Sequence, residues 1–226
     1  MHPSAPAYDM TSHTGRTNAT LSHMAQTETR PTGEGINGYD YGSSALPPSP
    51  VSLSELALLK QAAGFGPEEE RWLRRAGEVL IHQADQLVEH WRKLLAAQPH
   101  LAAYSRHPDG RVNSEYSESS RPRFVQWVRD VFERPLDQAW LDYQHEIGLR
   151  HTRAKKNQTD AADAPPHIRL RYLLAFSAVV MTSTRPFLAQ SGAPAEEVDR
   201  MYEAWCKAVM LHVTLWSEPY VPPADW

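Results

Sequence analysis

From Ser52 to the C-terminus apolar residues recur three or four positions apart, and no apolar/polar alternation runs far enough to read as a strand. Ser52 and Glu55 have capping-box spacing, and Leu53, Leu56, Leu58 and Leu59 follow on a short helix that Gly64 and Gly66 stop. Pro67 opens a second helix at a position where its missing N–H costs nothing, with Glu68 to Glu70 near the positive end of the helix dipole. That pattern runs through Trp72, Val79, Leu80, Leu87 and Trp91 towards Leu95, with room for a bend. A Pro108-Asp109-Gly110 turn precedes a segment carrying Tyr116, Phe124, Trp127, Val128 and Val131, which Pro122 interrupts. Further helices are expected from after Pro135 to about Thr152, from Pro165-Pro166 to about Ala189, and from Pro194 to about Trp216. Six to eight helices in about 176 residues predict an all-α domain.

Before Ser52 the pattern is different. Residues 1–50 hold 13 Ser or Thr, 6 Pro and 5 Gly but only three residues drawn from Leu, Ile, Val and Phe, too little apolar area to offset the entropy of ordering them. Residues 1–35 are therefore expected to be a disordered tail and residues 36–226 the domain. His2, His13 and His23 are not closely spaced, which favours solvated side chains over a metal site. At Gly38-Tyr39-Asp40-Tyr41-Gly42 two aromatics between glycines suit an ordered, extended arm laid against the domain, while Met10 and Met24 leave a later start open.

Composition narrows the function classes. With 7 Trp, 9 Tyr and 5 Phe the chain carries too much aromatic surface for a solvated coil, and a net charge of −4 gives no electrostatic reason to expect nucleic acid. A lone cysteine, Cys206, rules out an internal disulfide framework and any Cys-pair zinc site. The longest near-apolar run, Leu173 to Met181, is short for a bilayer span, and the first thirty residues lack the apolar core of a signal peptide, so a cytoplasmic protein without a membrane partner is expected.

One stripe carries candidate chemistry. Trp140, Tyr143 or Gln144, Ile147 and His151 lie three or four residues apart on one helix face, which turns His151 inward. Such a histidine is as a rule a hydrogen-bonded core residue. Gly148, however, removes a side chain one turn earlier and would let a large flat group approach, as haem ligation by a neutral imidazole requires; on pattern alone both readings stand. Asp142-x-x-His145 is only half of a carboxylate–histidine di-metal motif, and His145, between charged neighbours, is assigned to solvent. Cys206 and His212 point to different sides of one helix, and the nucleotide-binding and nucleophile-elbow motifs are absent. The basic run Arg150 to Lys156 reads as cations at a helix C-terminus continuing into a solvated loop rather than a nucleic-acid patch, although an arginine here or at Arg123 can pair with a propionate.

The run Gln138-Ala-Trp-Leu-Asp-Tyr-Gln-His-Glu-Ile-Gly-Leu-Arg-His151, followed by Lys155-Lys-Asn-Gln-Thr-Asp160, closely resembles the protoglobins, single-domain relatives of the globin-coupled sensors. Gly38–Gly42, Ala76–Leu80, Pro99–Leu101, Pro108–Gly110, Arg171–Phe176, Arg185–Ala189, Met201–Trp205 and Leu215–Tyr220 extend the resemblance over residues 36–226. It implies a globin three-over-three helical sandwich with an extra N-terminal helix, haem b deeply buried behind the N-terminal arm, and His151 as proximal iron ligand. Trp91, Phe124 and Phe176 would match the family's distal and haem-packing aromatics, with Val180 at a nearby aliphatic position. The resemblance also implies a homodimer through the last two long helices, here about Pro166–Ala189 and Pro194–Trp216.

Two departures bear on the ligand side. Arg92 stands where the family usually has a tyrosine, and a guanidinium there can donate to a bound ligand, pair with a propionate or turn to solvent. Pro122 lies inside the distal helix, where a kink would shift Phe124. The expected function is reversible binding of O2, CO or NO for storage or sensing. The alternatives are a haem enzyme (NO dioxygenase, nitrite or peroxidase-like chemistry) and a haem-free helical interaction module, against which His151 argues. No output module is expected after Trp226.

Overall fold

The computed structural model describes residue 33 and residues 35–226, so the tail expected over residues 1–35 lies outside the described residues except for Gly33 and Gly35. The described residues form nine α-helices: α1 Leu53–Ala62, α2 Pro67–Leu80, α3 Ala84–Ala96, α4 Pro99–Ala102, α5 Ser114–Glu133, α6 Gln138–Leu149, α7 Leu170–Thr182, α8 Arg185–Ala189 and α9 Ala195–Ser217. They contain no strand, only an isolated bridge between Arg106 and Val112 that closes the expected Pro108-Asp109-Gly110 turn. The α9 helix is the hub, packed by α2, α6, α7 and α8, while α5 packs on α2 and α3.

Local chemistry sets the starts of the helices. Ser52 and Glu55 close a reciprocal capping box on α1, Pro67 stands at the first position of α2, and Asn113 and Asp137 cap α5 and α6 by accepting from the Tyr116 and Trp140 amides. The core joins Leu80, Leu87, Val88, Trp91, Val128, Met201 and Trp205, all with no accessible surface, and burying each large side chain contributes about 2–3 kcal/mol. A smaller cluster places Val51 and Leu56 against Trp140, Leu141 and Leu215.

The arm is ordered, as expected of Gly38 to Gly42, but is built of turns rather than extended chain: the Tyr39 amide donates to Ile36 O and the Ser43 amide to Asp40 O. Gly38 has φ +71°, and a Cβ there would lie 2.2 Å from Thr159 Cγ2, so both conformation and space require glycine. The Tyr39 hydroxyl donates to Asp130 and accepts from Arg134; Tyr39 and Tyr41 stack and each meets Tyr143 edge to face, and the Arg134 guanidinium lies 4.3 Å from the Tyr41 ring centroid.

Three expectations need correcting. The bend expected beyond α2 is a 3-10 turn at Ile81–Gln83, but Pro122 does not interrupt its helix, since α5 is continuous through it. The carbonyl that Pro122 leaves without its helix donor is that of Glu118, and the loss of one rung does not end the helix. The stretch expected from Pro165-Pro166 to Ala189 begins only at Leu170 and divides at Ser183–Thr184. The Pro186 ring opposes continuation of α7 past Thr182, and the Ser183 and Thr184 hydroxyls turn back onto the Val179 and Val180 carbonyls at 2.7 Å each. Leu170–Ala189 is nonetheless long and apolar enough to cross a bilayer by length and composition, a longer run than Leu173–Met181, and only 22% of it is buried. Finally, α6 stops at Leu149 rather than Thr152.

Because Pro122 sits in a continuous helix and its ring is exposed, Pro122→Ala restores an N–H donor without disturbing the core. We expect it to raise unfolding free energy by about 1–3 kcal/mol in urea titrations; an unchanged or lower value would show that the proline costs this helix nothing.

Candidate functional site

The end of α6 determines what His151 can do. The last turn tightens, with the His151 amide donating to Gly148 O at 3.0 Å and the Thr152 amide to Leu149 O at 2.9 Å. In a continuing α-helix the His151 amide would occupy the Ile147 carbonyl; here that carbonyl instead accepts from the imidazole, 2.7 Å from Nδ1. A carbonyl cannot donate, so Nδ1 carries the proton and Nε2 keeps its lone pair. Nε2 has no partner among the described residues, and the ring stacks on Trp216 at 5.7 Å and 18°. The His151 carbonyl is held as well, by the Ile168 amide at 3.0 Å and the Tyr220 hydroxyl at 3.0 Å.

Trp216 joins His151 to an aromatic cluster. Its ring lies 5.4 Å from Trp127, Trp127 lies 5.7 Å from Phe124 and 6.2 Å from Trp91, and Trp91 stacks on Trp205 at 6.1 Å. Thus His151, Trp91 and Phe124 belong to one contiguous system, and Phe176 and Ile147 pack at the edge of the same core. Trp91 is fully buried with its Nε1 on Ser183 Oγ at 2.9 Å, and Val180 is buried with its carbonyl accepting from Thr184. By contrast Phe124, Ile147, Phe176 and His151 keep accessible surface although they face inward.

Gly148 does not play the expected part. A Cβ there would lie 3.2 Å from Pro219 and 3.2 Å from the Trp216 backbone, so the missing side chain lets the end of α9 approach α6 and leaves no open face for a flat group. Arg92 is half-buried against Ser117, donating to its carbonyl and its hydroxyl. Arg123 forms a two-point pair with Asp160 at 3.1 and 2.5 Å and also donates to Asn37 O at 2.7 Å, tying α5 to the arm.

Other side chains depart from their expected surroundings. His145 is not solvated: its side chain is 15% exposed, with Nδ1 3.1 Å from Glu218 Oε2. Nor is the basic run a solvated loop throughout. Arg150 and Lys155 both reach the buried Glu146 carboxylate, which burial alone would raise but which they hold below the usual range, and Arg150 also bonds Asp40 and Gly38 O in the arm. Lys156 is 4% exposed. Sequence reasoning missed the polar pairing of Trp127, Gln144, His212 and Trp216, whose only signal was the coincidence of Gln144 and His212 with apolar helix faces.

The comparisons bear on fold and family. The globin domain of the globin-coupled sensor of Geobacter sulfurreducens superposes with a TM-score of 0.56 at 17% identity, covering 74% of this chain and 97% of that one. The fold is therefore a globin fold, all helical. A comparison with curated proteins returned no match. The Protoglobin family model matches residues 52–226, and the chain belongs to the protoglobin family. Membership makes it a globin-type haem protein.

His212 provides a test of the buried polar network. Burial drives its pKa from 6.5 down to about 3, so it is neutral at pH 7, and the same cause lowers His151. Between pH 6.5 and 3 the unfolded chain binds a proton at His212 that the folded chain refuses. Stability therefore falls as pH falls, by about 1.4 kcal/mol per pH unit for this group. We expect His212→Gln, which keeps a polar side chain but cannot titrate, to remove about one proton's worth of that slope in urea unfolding measured from pH 6.5 to 4; an unchanged slope would place the titration elsewhere.

Proposed function

We propose that the chain binds haem b through His151 Nε2 and uses it to bind O2, CO or NO reversibly, in storage or sensing. The observation that carries this reading is the imidazole: its proton is fixed on Nδ1 by the Ile147 carbonyl, and a neutral Nε2 without a partner among the described residues remains. Haem supplies, when bound, a ferrous iron with a sixth position for a diatomic ligand.

The surroundings fit such a group. Ile147, Phe124 and Phe176 are apolar side chains that face the core yet keep accessible surface, as side chains lining a slot do. Trp91 and Val180 would back that lining, while Gly148 is spent on helix packing. Arg123 and Arg92 would serve the group only with donors left over from Asp160 and Ser117. An enzyme reading needs a charged side chain free beside the ligand, and Arg92, its candidate, lies against Ser117; no observation favours that reading over gas binding.

A homodimer accounts for the uncovered apolar surface of the last long helices. Leu174 is 45% exposed and Met210 42% exposed, and Ala175 and Ala178 continue the open face of α7. A second copy covering α7 and α9 explains the low burial of Leu170–Ala189 without a membrane, in keeping with a cytoplasmic protein.

The first test is the absorption spectrum of the purified chain, reduced and then exposed to CO, beside His151→Ala. We expect an intense Soret band that shifts with CO and is lost or grossly altered in the variant; no Soret band after adding haem would overturn the proposal. In sedimentation velocity, the wild type should run as a dimer and Leu174→Glu with Met210→Glu as a monomer. A wild-type monomer would remove the dimer reading and leave the haem reading standing.

A further inference from the structure

Lys156 is the least explained charge among the described residues. It lies at the end of the tight turn after His151, its amide donating to Thr152 O at 3.0 Å, and it is 4% exposed. Its Nζ donates to Tyr104 O at 2.9 Å and lies 3.4 Å from Asn157 Oδ1, with the Tyr116 ring centroid 5.0 Å away. Among the described residues no carboxylate reaches it. Asp160, a short way along the chain, is taken up by Arg123, and Asp163 pairs with His107.

A buried ammonium paired only with neutral oxygens is costly, because carbonyl dipoles and a ring face replace only part of its hydration. The cost shows as a pKa lowered from 10.5 to about 8 by burial alone. Such a group is common where a ligand brings the missing anion.

The position favours one anion. Lys156 follows His151 by five residues and closes the turn that begins there, its amide on Thr152 O. Tyr116, whose ring centroid lies 5.0 Å from the ammonium, is on α5, the helix that also carries Phe124. The ammonium therefore belongs to the segment that follows His151 and lies against α5, the helix that also carries Phe124, where a carboxylate of a haem held by His151 would supply its missing anion.

Resting on the haem reading above, we propose that Lys156 is the propionate anchor of this chain: its ε-ammonium pairs with one haem carboxylate, while Arg123 stays with Asp160. The role is positional and electrostatic, holding the acidic edge of the ring and gaining in return the anion that the protein does not supply.

The test is haem loss from the full-length ferric protein to an excess of an apoglobin acceptor, followed in the Soret band. We compare wild type, Lys156→Met and Lys156→Arg, each loaded with haem or with its dimethyl ester. With haem, Lys156→Met should lose the group about 10-fold faster than wild type and Lys156→Arg should retain most of the difference, as expected for a charge-assisted hydrogen bond. With the dimethyl ester, which has no carboxylate, wild type and Lys156→Met should agree within about twofold. The apoprotein of Lys156→Met should also melt higher than wild-type apoprotein, because a buried unpaired charge has been removed.

Equal loss rates with ordinary haem overturn the proposal. So does a 10-fold difference that persists with the ester, since that would mark a packing role. A Lys156→Met chain that does not fold also overturns it, because the lysine would then support the apoprotein. Failure of the wild type to take up haem would instead overturn the underlying reading, and is seen before any variant is compared.

Discussion

The architecture of the site depends on the place where α6 stops. One further turn of α-helix would spend the Ile147 carbonyl on the His151 amide and leave the imidazole without a fixed tautomer. The tight turn diverts that amide to Gly148 O, so that the Ile147 carbonyl accepts Nδ1–H instead. The turn is held from outside the helix: Ile168 and Tyr220 take the His151 carbonyl, and Thr152 closes on Leu149 through both its amide and its hydroxyl. Glu146, one turn back, collects Arg150 and Lys155, so cations gather at the negative end of the helix with a buried carboxylate to receive them. The orientation of one ring nitrogen is thereby fixed by three separate stretches of chain.

The aromatic cluster behind that turn obeys a second constraint, the satisfaction of indole N–H groups in a dry core. Trp91 donates to Ser183, Trp127 to His212 and Trp216 to Gln144. Ser183 is available because α7 ends beside it, at the break imposed by Pro186. A continuous α7 would keep a longer apolar helix but leave the Trp91 donor to find another partner. Trp140 is the exception, its Nε1 buried without a partner among the described residues while its ring meets His212 edge to face at 5.1 Å.

Much of this was legible in the sequence, for physical reasons that can be named. Ser52, Pro67 and Pro194 announce helix starts because capping and the missing proline donor act within a few residues. The inward turn of His151 followed from periodicity, and the family from the run that ends at it. What escaped was set by tertiary contacts. Pro122 reads as a break, yet it removes a single rung, the donor to the Glu118 carbonyl, and α5 packed on α2 and α3 runs on through it. Gly148 reads as an opening until the end of α9 fills it, and Lys156 reads as solvated because nothing in a basic run tells which member turns inward. The end of α6 was placed three residues late, and the tautomer of His151 depends on that difference.

The arm follows from the same logic at longer range. Arg150, next to His151 in the chain, bonds Glu146 in its own helix and Asp40 and Gly38 O in the arm, so one guanidinium couples the arm to the turn that sets the imidazole. Arg123 does the same from α5 through Asn37 O and Asp160. Tyr39 completes the attachment on Asp130, whose carboxyl is raised by burial despite bonds from Gln126, Tyr39 and Arg134. A buried carboxylate of this kind tolerates loss of a donor poorly, because the partner left behind bears the full desolvation penalty. The arm is thus fastened by groups that cannot be left unpaired, and Arg150 and Arg123 are already committed to it. Two arginines that a sequence would offer to an acidic ligand are occupied in joining arm to body, while Lys156, which reads as part of a solvated loop, is buried without a carboxylate among the described residues.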